Sequence, residues 1–214
     1  MTQTSTDQQP INARERIVET ALKLFYRNGL RATGIDKIIA ESGVAKMSFY
    51  RHFPSKGDLI SEFLRRRHDI WMAWFTAGVS KKLEKPGSGL EVIADVLGEW
   101  FDEPGFRGCA FINTISETPD YEAAQNQIVR DHKAQLECFI QQTAVQLGLS
   151  APEKIAATVM IIIEGTIVRA QMTRNPDVIF HCRWLLQMTA RAENTSMRGA
   201  TSRSRKRSRN ARNH

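Results

Sequence analysis

Helix punctuation constrains this chain more than any other feature. Four steps pair a capping side chain with an acid three residues on: Asn12 with Glu15, Ser55 with Asp58, Ser88 with Glu91 and Ser150 with Glu153. In such a box each side chain satisfies a backbone donor that the first helical turn leaves without a partner. Thr118-Pro119 and Asn175-Pro176 add a cap followed by a first-turn proline. Stops fall at Gly29, Gly43, Pro86-Gly87, Pro104-Gly105 and Gly148. Between these marks apolar residues recur at helical spacing, as in Ile17, Ala21, Leu22 and Phe25, and no segment alternates with period two for long enough to make a sheet. The expectation is an all-α chain of about nine helices. Three short ones precede residue 53, a long one runs from about 55 into the 80s, and others lie near 88 to 102, 109 to 117, 119 to 147, 152 to 173 and 176 to 192.

A chain of 214 residues, 42% hydrophobic and 25% charged, has the composition of a soluble globular protein and the length for a small recognition module plus a larger body. Its net charge of +7 is unevenly placed. Residues 1 to 67 hold 12 basic against 7 acidic side chains, residues 68 to 193 hold 11 against 16, and residues 194 to 214 hold 7 against none. The Arg/Ser-rich segment after 194 has the composition of a disordered basic tail, and residues 1 to 11 that of a flexible N-terminus. Polarity within the body, basic first and acidic afterwards, suits a negatively charged partner at the N-terminal end. The N-terminus has neither the basic nor the apolar region of a signal peptide. No apolar run reaches the roughly 18 residues of a membrane span, because "TVMIIIEGTIV" is broken by Glu164 and Gly165. A cytoplasmic protein with no membrane partner is expected. Cys109, Cys138 and Cys182 are odd in number and lack metal-type spacing, so they are expected to be buried thiols, with Cys109 a small hydrophobe.

Residues 41 to 60, "ESGVAKMSFYRHFPSKGDLI", crowd hydrogen-bonding side chains into a very short helix. Ile35, Ile38 and Ile39 give the helix before it an inward face, Ser42-Gly43 ends that helix, and Phe49 and Phe53, four apart, turn the next one's apolar side inward. Its remaining side chains must face out. Two short helices joined by a glycine-containing turn, the second exposing polar groups, is the arrangement that places a helix in the DNA major groove. Lys46 and Arg51 suit guanine O6 and N7, Ser48 donates or accepts, and Met47 suits a thymine methyl. Tyr50, His52 and Lys56 carry donors to the sides, where phosphates lie.

"TGIDKIIAESGVAKMSFYRHFPSKGDLI" resembles the DNA-binding segment of the TetR family of bacterial transcriptional regulators, through its Gly-Val turn, Tyr-x-His-Phe step and Ser-Lys-Gly-Asp-Leu. The resemblance covers roughly residues 12 to 60. It implies a helix-turn-helix DNA-binding domain over 12 to 58 and an effector-binding and dimerisation domain over 59 to 193. It implies DNA contacts from Thr33, Lys46, Met47, Ser48, Tyr50, Arg51, His52 and Lys56, a homodimer through the last two helices, and a repressor released from a palindromic double-stranded operator by a small-molecule effector. Arg51 replaces an aromatic that many members carry, which leaves the operator sequence open.

Downstream, aromatics gather at Trp71, Trp74, Phe75, Trp100, Phe101, Phe106 and Phe111, either lining a ligand cavity or filling a core. "GFRGCAFINTISE" is similar to a segment that leads into a short helix beside the cavity in many TetR effector domains. The effector-pocket candidates are Trp71, Phe75, Trp100 and Phe111, with the polar residues Asp131, His132 and Glu164 on otherwise apolar helices. Glu164 is alternatively paired with Arg169 or placed in the dimer interface. No spacing demands a metal, and no cofactor is expected. Ile161, Ile162, Ile163, Ile167, Val168, Phe180, Trp184, Leu185 and Met188 supply apolar faces for a dimer through about 152 to 173 and 176 to 192, with Gly165 permitting close approach. No Gly-x-Ser-x-Gly step or phosphate-cradling loop marks an enzyme. The rival reading is a nonspecific nucleic-acid or anionic-surface binder driven by the basic tail.

Overall fold

The computed structural model describes residues 12–118 and 123–192, and every regular element within them is an α-helix. These are α1 (Ala13–Asn28), α2 (Ile35–Ser42), α3 (Lys46–His52), α4 (Lys56–Leu83), α5 (Val92–Phe101), α6 (Ala110–Glu117), α7 (Ala124–Gln146), α8 (Pro152–Thr173) and α9 (177–192). The chain divides into two compact units. The first holds the residues up to His68 together with Ala110–Val129, and the second holds Asp69–Cys109 and the residues from Arg130 on. Thus α6 and the start of α7 pack with the N-terminal helices, although more than forty residues of sequence separate them from His68.

Local chemistry accounts for the helix starts. Asn12 Oδ1 accepts from the Glu15 amide at 2.9 Å. At α4 the box closes in both directions: Ser55 Oγ accepts from the Asp58 amide at 3.1 Å, and Asp58 Oδ2 accepts from the Ser55 amide at 3.0 Å. Asn175 Oδ1 accepts from the Asp177 amide at 3.0 Å, which caps α9. Two expected boxes do not form. Glu91 turns back to the Gly89 amide at 2.8 Å, so α5 begins only at Val92, and Ser88 does not cap it. At α8 the cap position is Ala151, held at φ 52 with no side-chain cap bond, and Pro152 starts the helix in place of a Ser150–Glu153 box. Thr118-Pro119 lies partly outside the described residues, and α7 is described from Ala124.

In the first unit α1 buries Ile17, Val18, Ala21, Leu24 and Phe25, and Phe25 meets Phe63 of α4 edge-on at 5.5 Å between ring centroids. Ile38 from α2 and Phe49 from α3 are fully buried, as is Leu59. Ion pairs Arg14–Glu62 (2.8 Å) and Arg66–Glu15 (2.9 Å) fasten α1 to α4, and the Arg67 guanidinium lies over the Tyr26 ring at 4.4 Å. Two of the three consecutive arginines at 65–67 are therefore engaged with α1. Polar bonds also hold α6 and α7 here: the Arg31 amide donates to Glu117 Oε2 at 2.7 Å, and Gln125 Nε2 donates to Gly57 O at 2.9 Å.

The second unit packs Phe75, Val79, Ile93, Leu97, Leu136, Ile140, Val159, Ile163 and Leu186 into one interior. Gly78 lets α4 lie close to α5, since a Cβ there would meet Val96 at 3.2 Å. Cys109 and Cys182 are buried, and burial pushes the Cys182 thiol up while a bond with Thr166 lowers it. Cys138 is exposed, contrary to the expectation that all three thiols are buried. Among the described residues α8 is the one helix long and apolar enough to cross a membrane by length and composition, despite Glu164 and Gly165. Its buried residues, including Ile155, Val159, Ile163, Ile167 and Ala170, are spaced to face the interior of the unit.

Candidate nucleic-acid interface

Gly43 sets the geometry of the helix-turn-helix. It ends α2 at φ 63, ψ 31, where its amide donates to the carbonyls of Ile39 and Ala40, and the chain then turns into α3 after only Val44 and Ala45. Arg16 of α1 clamps the same corner: its Nη2 donates to Ser42 O at 2.5 Å and to Gly43 O at 2.8 Å. The motif alone did not single out Arg16, because its partners lie 26 and 27 residues away. A Cβ at position 43 would sit 2.6 Å from that guanidinium nitrogen. Gly43→Ala is therefore expected to lower stability by about 1–2 kcal/mol, the cost of a left-handed conformation for an L-residue. Denaturant unfolding of the two proteins checks this, and an unchanged midpoint would refute it.

Across the seven residues of α3, Phe49 points inward and is fully buried, its ring tilted against that of Phe53 at 6.3 Å between centroids. Lys46, Met47, Tyr50 and Arg51 are exposed, and Ser48 and His52 are half-buried. Met47 is 81% exposed, a position an apolar side chain holds at a cost in water and gains from when it meets another apolar group. Arg51 Nη2 donates to Ser48 Oγ at 3.3 Å, so these two side chains share one outward edge. Lys46 Nζ lies 3.5 Å from Asp36 Oδ1, a solvent-exposed pair weak enough to exchange for another anion. Tyr50 stands edge-on to Phe49 at 5.4 Å, which fixes its ring while leaving the phenol outward. Lys56 begins α4, beside the Ser55–Asp58 box.

Thr33 departs from the set. It is fully buried, and its hydroxyl donates to Gly29 O at 2.8 Å and Leu24 O at 3.3 Å, so it braces the α1–α2 turn and presents no side chain to DNA.

Of the effector-pocket candidates, Trp71, Phe75, Trp100 and His132 come together in the second unit. Trp71 stacks on Phe75 at 4.7 Å and meets Trp100 and His132 edge-on at 5.7 and 5.5 Å. Phe111 is buried on α6, which belongs to the first unit. Asp131 is exposed on α7, one residue and so about 100° of helix rotation from the buried His132. Glu164 pairs across helices with Lys133 at 3.1 Å and not with Arg169, and Lys133 Nζ also lies 4.0 Å from Cys109 Sγ. A separate cleft of about 570 Å³, lined by Phe101, Phe106, Arg174 and Ile179 among others, includes none of the candidates.

Comparison with known proteins agrees with this geometry. Residues 17–63 match the family model of the bacterial regulatory proteins of the tetR family. The chain is 26% identical over 183 residues to the HTH-type transcriptional regulator AcrR of Shigella flexneri, covering 81% of this chain and 75% of that one. It is 25% identical over 176 residues to the HTH-type transcriptional regulator LmrA of Bacillus subtilis, covering 79% and 92%. A TetR-family transcriptional regulator from Streptomyces coelicolor superimposes with a TM-score of 0.75 at 26% identity, over 85% of this chain and 95% of that one. The all-α fold, the helix-turn-helix over the matched residues and these similarities, which span about four fifths of the chain, support a TetR-family transcriptional regulator.

Proposed function

We propose that this protein is a homodimeric cytoplasmic repressor that binds a near-palindromic operator through α3 and leaves it when a small molecule occupies the second unit. The observation that carries the reading is the outward edge of α3, where Lys46, Met47, Ser48 and Arg51 are accessible together behind a turn fixed by Gly43 and Arg16. These side chains match base edges, whereas Tyr50, His52 and Lys56 flank them toward the backbone. Two copies of α3 would enter successive major grooves about 34–36 Å apart. Effector binding would favour another spacing, with a coupling of about 1–3 kcal/mol.

The dimer reading is supported by two stripes. On α8, Ile161 is 73% and Met172 77% exposed, and Gly165 between them leaves open space where a Cβ would stand. On α9, Phe180 is 67% and Trp184 53% exposed, four residues apart on one face. Apolar stripes of this kind mark a surface that another protein covers.

Operator footprinting with the full chain and with residues 194–214 removed tests the reading. Protection of one defined site by both proteins is expected; loss of all binding with the tail would favour a nonspecific, tail-driven binder. The phosphate role of Lys56 has its own signature. Lys56→Ala removes one cation per subunit, so affinity should fall on every DNA sequence and the slope of log affinity against log salt should flatten by about 2. A changed base preference with an unchanged slope would remove Lys56 from the phosphate contacts.

A further inference from the structure

We propose that the aromatic cluster around Trp71 receives an uncharged, planar aromatic molecule carrying one hydrogen-bond acceptor, and that the acceptor is bound by the Trp71 indole N–H. This names the effector class and rests on reading the second unit as the effector-binding part of the regulator.

Trp71 is 7% exposed, and its Nε1 is sealed from solvent with no acceptor among the described residues. Protein interiors seldom leave a donor in that state, and a buried tryptophan usually finds a partner for its N–H. The rings in contact with Trp71 are all aromatic: Phe75 stacked at 4.7 Å with an interplanar angle of 11°, Trp74 tilted at 6.3 Å, and Trp100 and His132 edge-on. Three of them supply flat apolar surface and His132 a polar ring beside the indole donor, which is the pattern of a site that grips a ring and orients it by few polar groups.

Shape and charge narrow the class. The near-parallel packing of Trp71 on Phe75, 4.7 Å between ring centroids, is the geometry that a flat ring takes against this indole. A ligand bearing a full charge would lose its hydration here, and the nearby Lys133 is engaged with Glu164. A carbonyl-type acceptor on an uncharged ring satisfies the indole without that cost. Trp74, whose ring lies 6.3 Å from that of Trp71, is half-buried, so the cluster reaches the surface on its side.

The test uses the full chain labelled with 15N at its tryptophans and two probes of matched size, acetophenone, which has a carbonyl acceptor, and ethylbenzene, which lacks one. Trp→Phe variants at 71, 74, 100 and 184 assign the indole resonances. Acetophenone is expected to move the Trp71 N–H resonance downfield and to bind about tenfold more tightly than ethylbenzene. Trp71→Phe should retain ethylbenzene binding and lose the preference. Equal affinities, binding that leaves the Trp71 resonance in place, or binding of neither probe would each overturn the proposal. If Trp71→Phe does not fold, the resonance in the unsubstituted protein decides. Operator footprinting of the same protein before either probe is added separates the two readings. A footprint from the ligand-free protein without the later resonance shift sinks this site alone, and a shift in a protein that gives no footprint even when ligand-free sinks the regulator and leaves the site standing.

Discussion

Trp184→Glu is expected to turn a dimer into a monomer and to lower operator affinity by on the order of 10²–10⁴. Trp184 shares an exposed edge of α9 with Phe180 and Met188, which follow the four-residue spacing of one helix face. In an isologous interface each substitution appears twice, so two carboxylates would be buried where two indoles had packed. Each protomer then grips only one half of the operator, and the second contact is no longer made at high effective concentration. Because Trp184 is exposed in the protomer, the fold of the single chain should change by no more than about 0.5 kcal/mol. Light scattering reports the mass and fluorescence anisotropy the affinity. A dimer that survives the substitution would place the interface elsewhere.

Arg51→Ala should cost about 1–3 kcal/mol per half-site, or about 2–6 kcal/mol over a two-fold operator, and should relax preference at one symmetric base pair. Its only described polar contact within the chain is to Ser48 Oγ at 3.3 Å, on an exposed surface. The substitution therefore tests recognition with little disturbance of folding. Base-by-base competition assays read the outcome. Equal weakening on operator and scrambled DNA would make Arg51 a phosphate contact.

The helix-turn-helix was legible because its determinants are local. Ser55 and Asp58 are three residues apart and bond each other, and Gly43 closes α2 with bonds to residues three and four back. The same reasoning failed at Ser88 and Ser150, where the backbone had already chosen: Glu91 folds onto Gly89, and Ala151 takes a left-handed conformation before Pro152. Thr33 shows a subtler limit. The resemblance implied a DNA contact there, yet its hydroxyl partners are carbonyls four and nine residues back, which only the closed turn brings within reach.

The second unit was less legible because its polar side chains depend on distant partners. Arg169 was the nearest basic residue in sequence to Glu164, but five residues along a helix is about 140° around the axis. Lys133, 31 residues earlier on α7, is the cation that α8 meets. Aromatic clustering was visible in the sequence. That Trp71 would join Phe75, Trp100 and His132, while Phe111 would pack in the other unit, required the fold.

Sequence-specific recognition by α3 stands or falls on one ratio. A site enriched from random double-stranded DNA is measured against a scrambled site of the same length, with the 194–214 deletion protein, across a salt series. The expected result is a specific affinity at least about 10³ tighter than the nonspecific one, a ratio that persists while both affinities fall with rising salt. A ratio near one at every salt concentration, with affinity vanishing as salt increases, would contradict it.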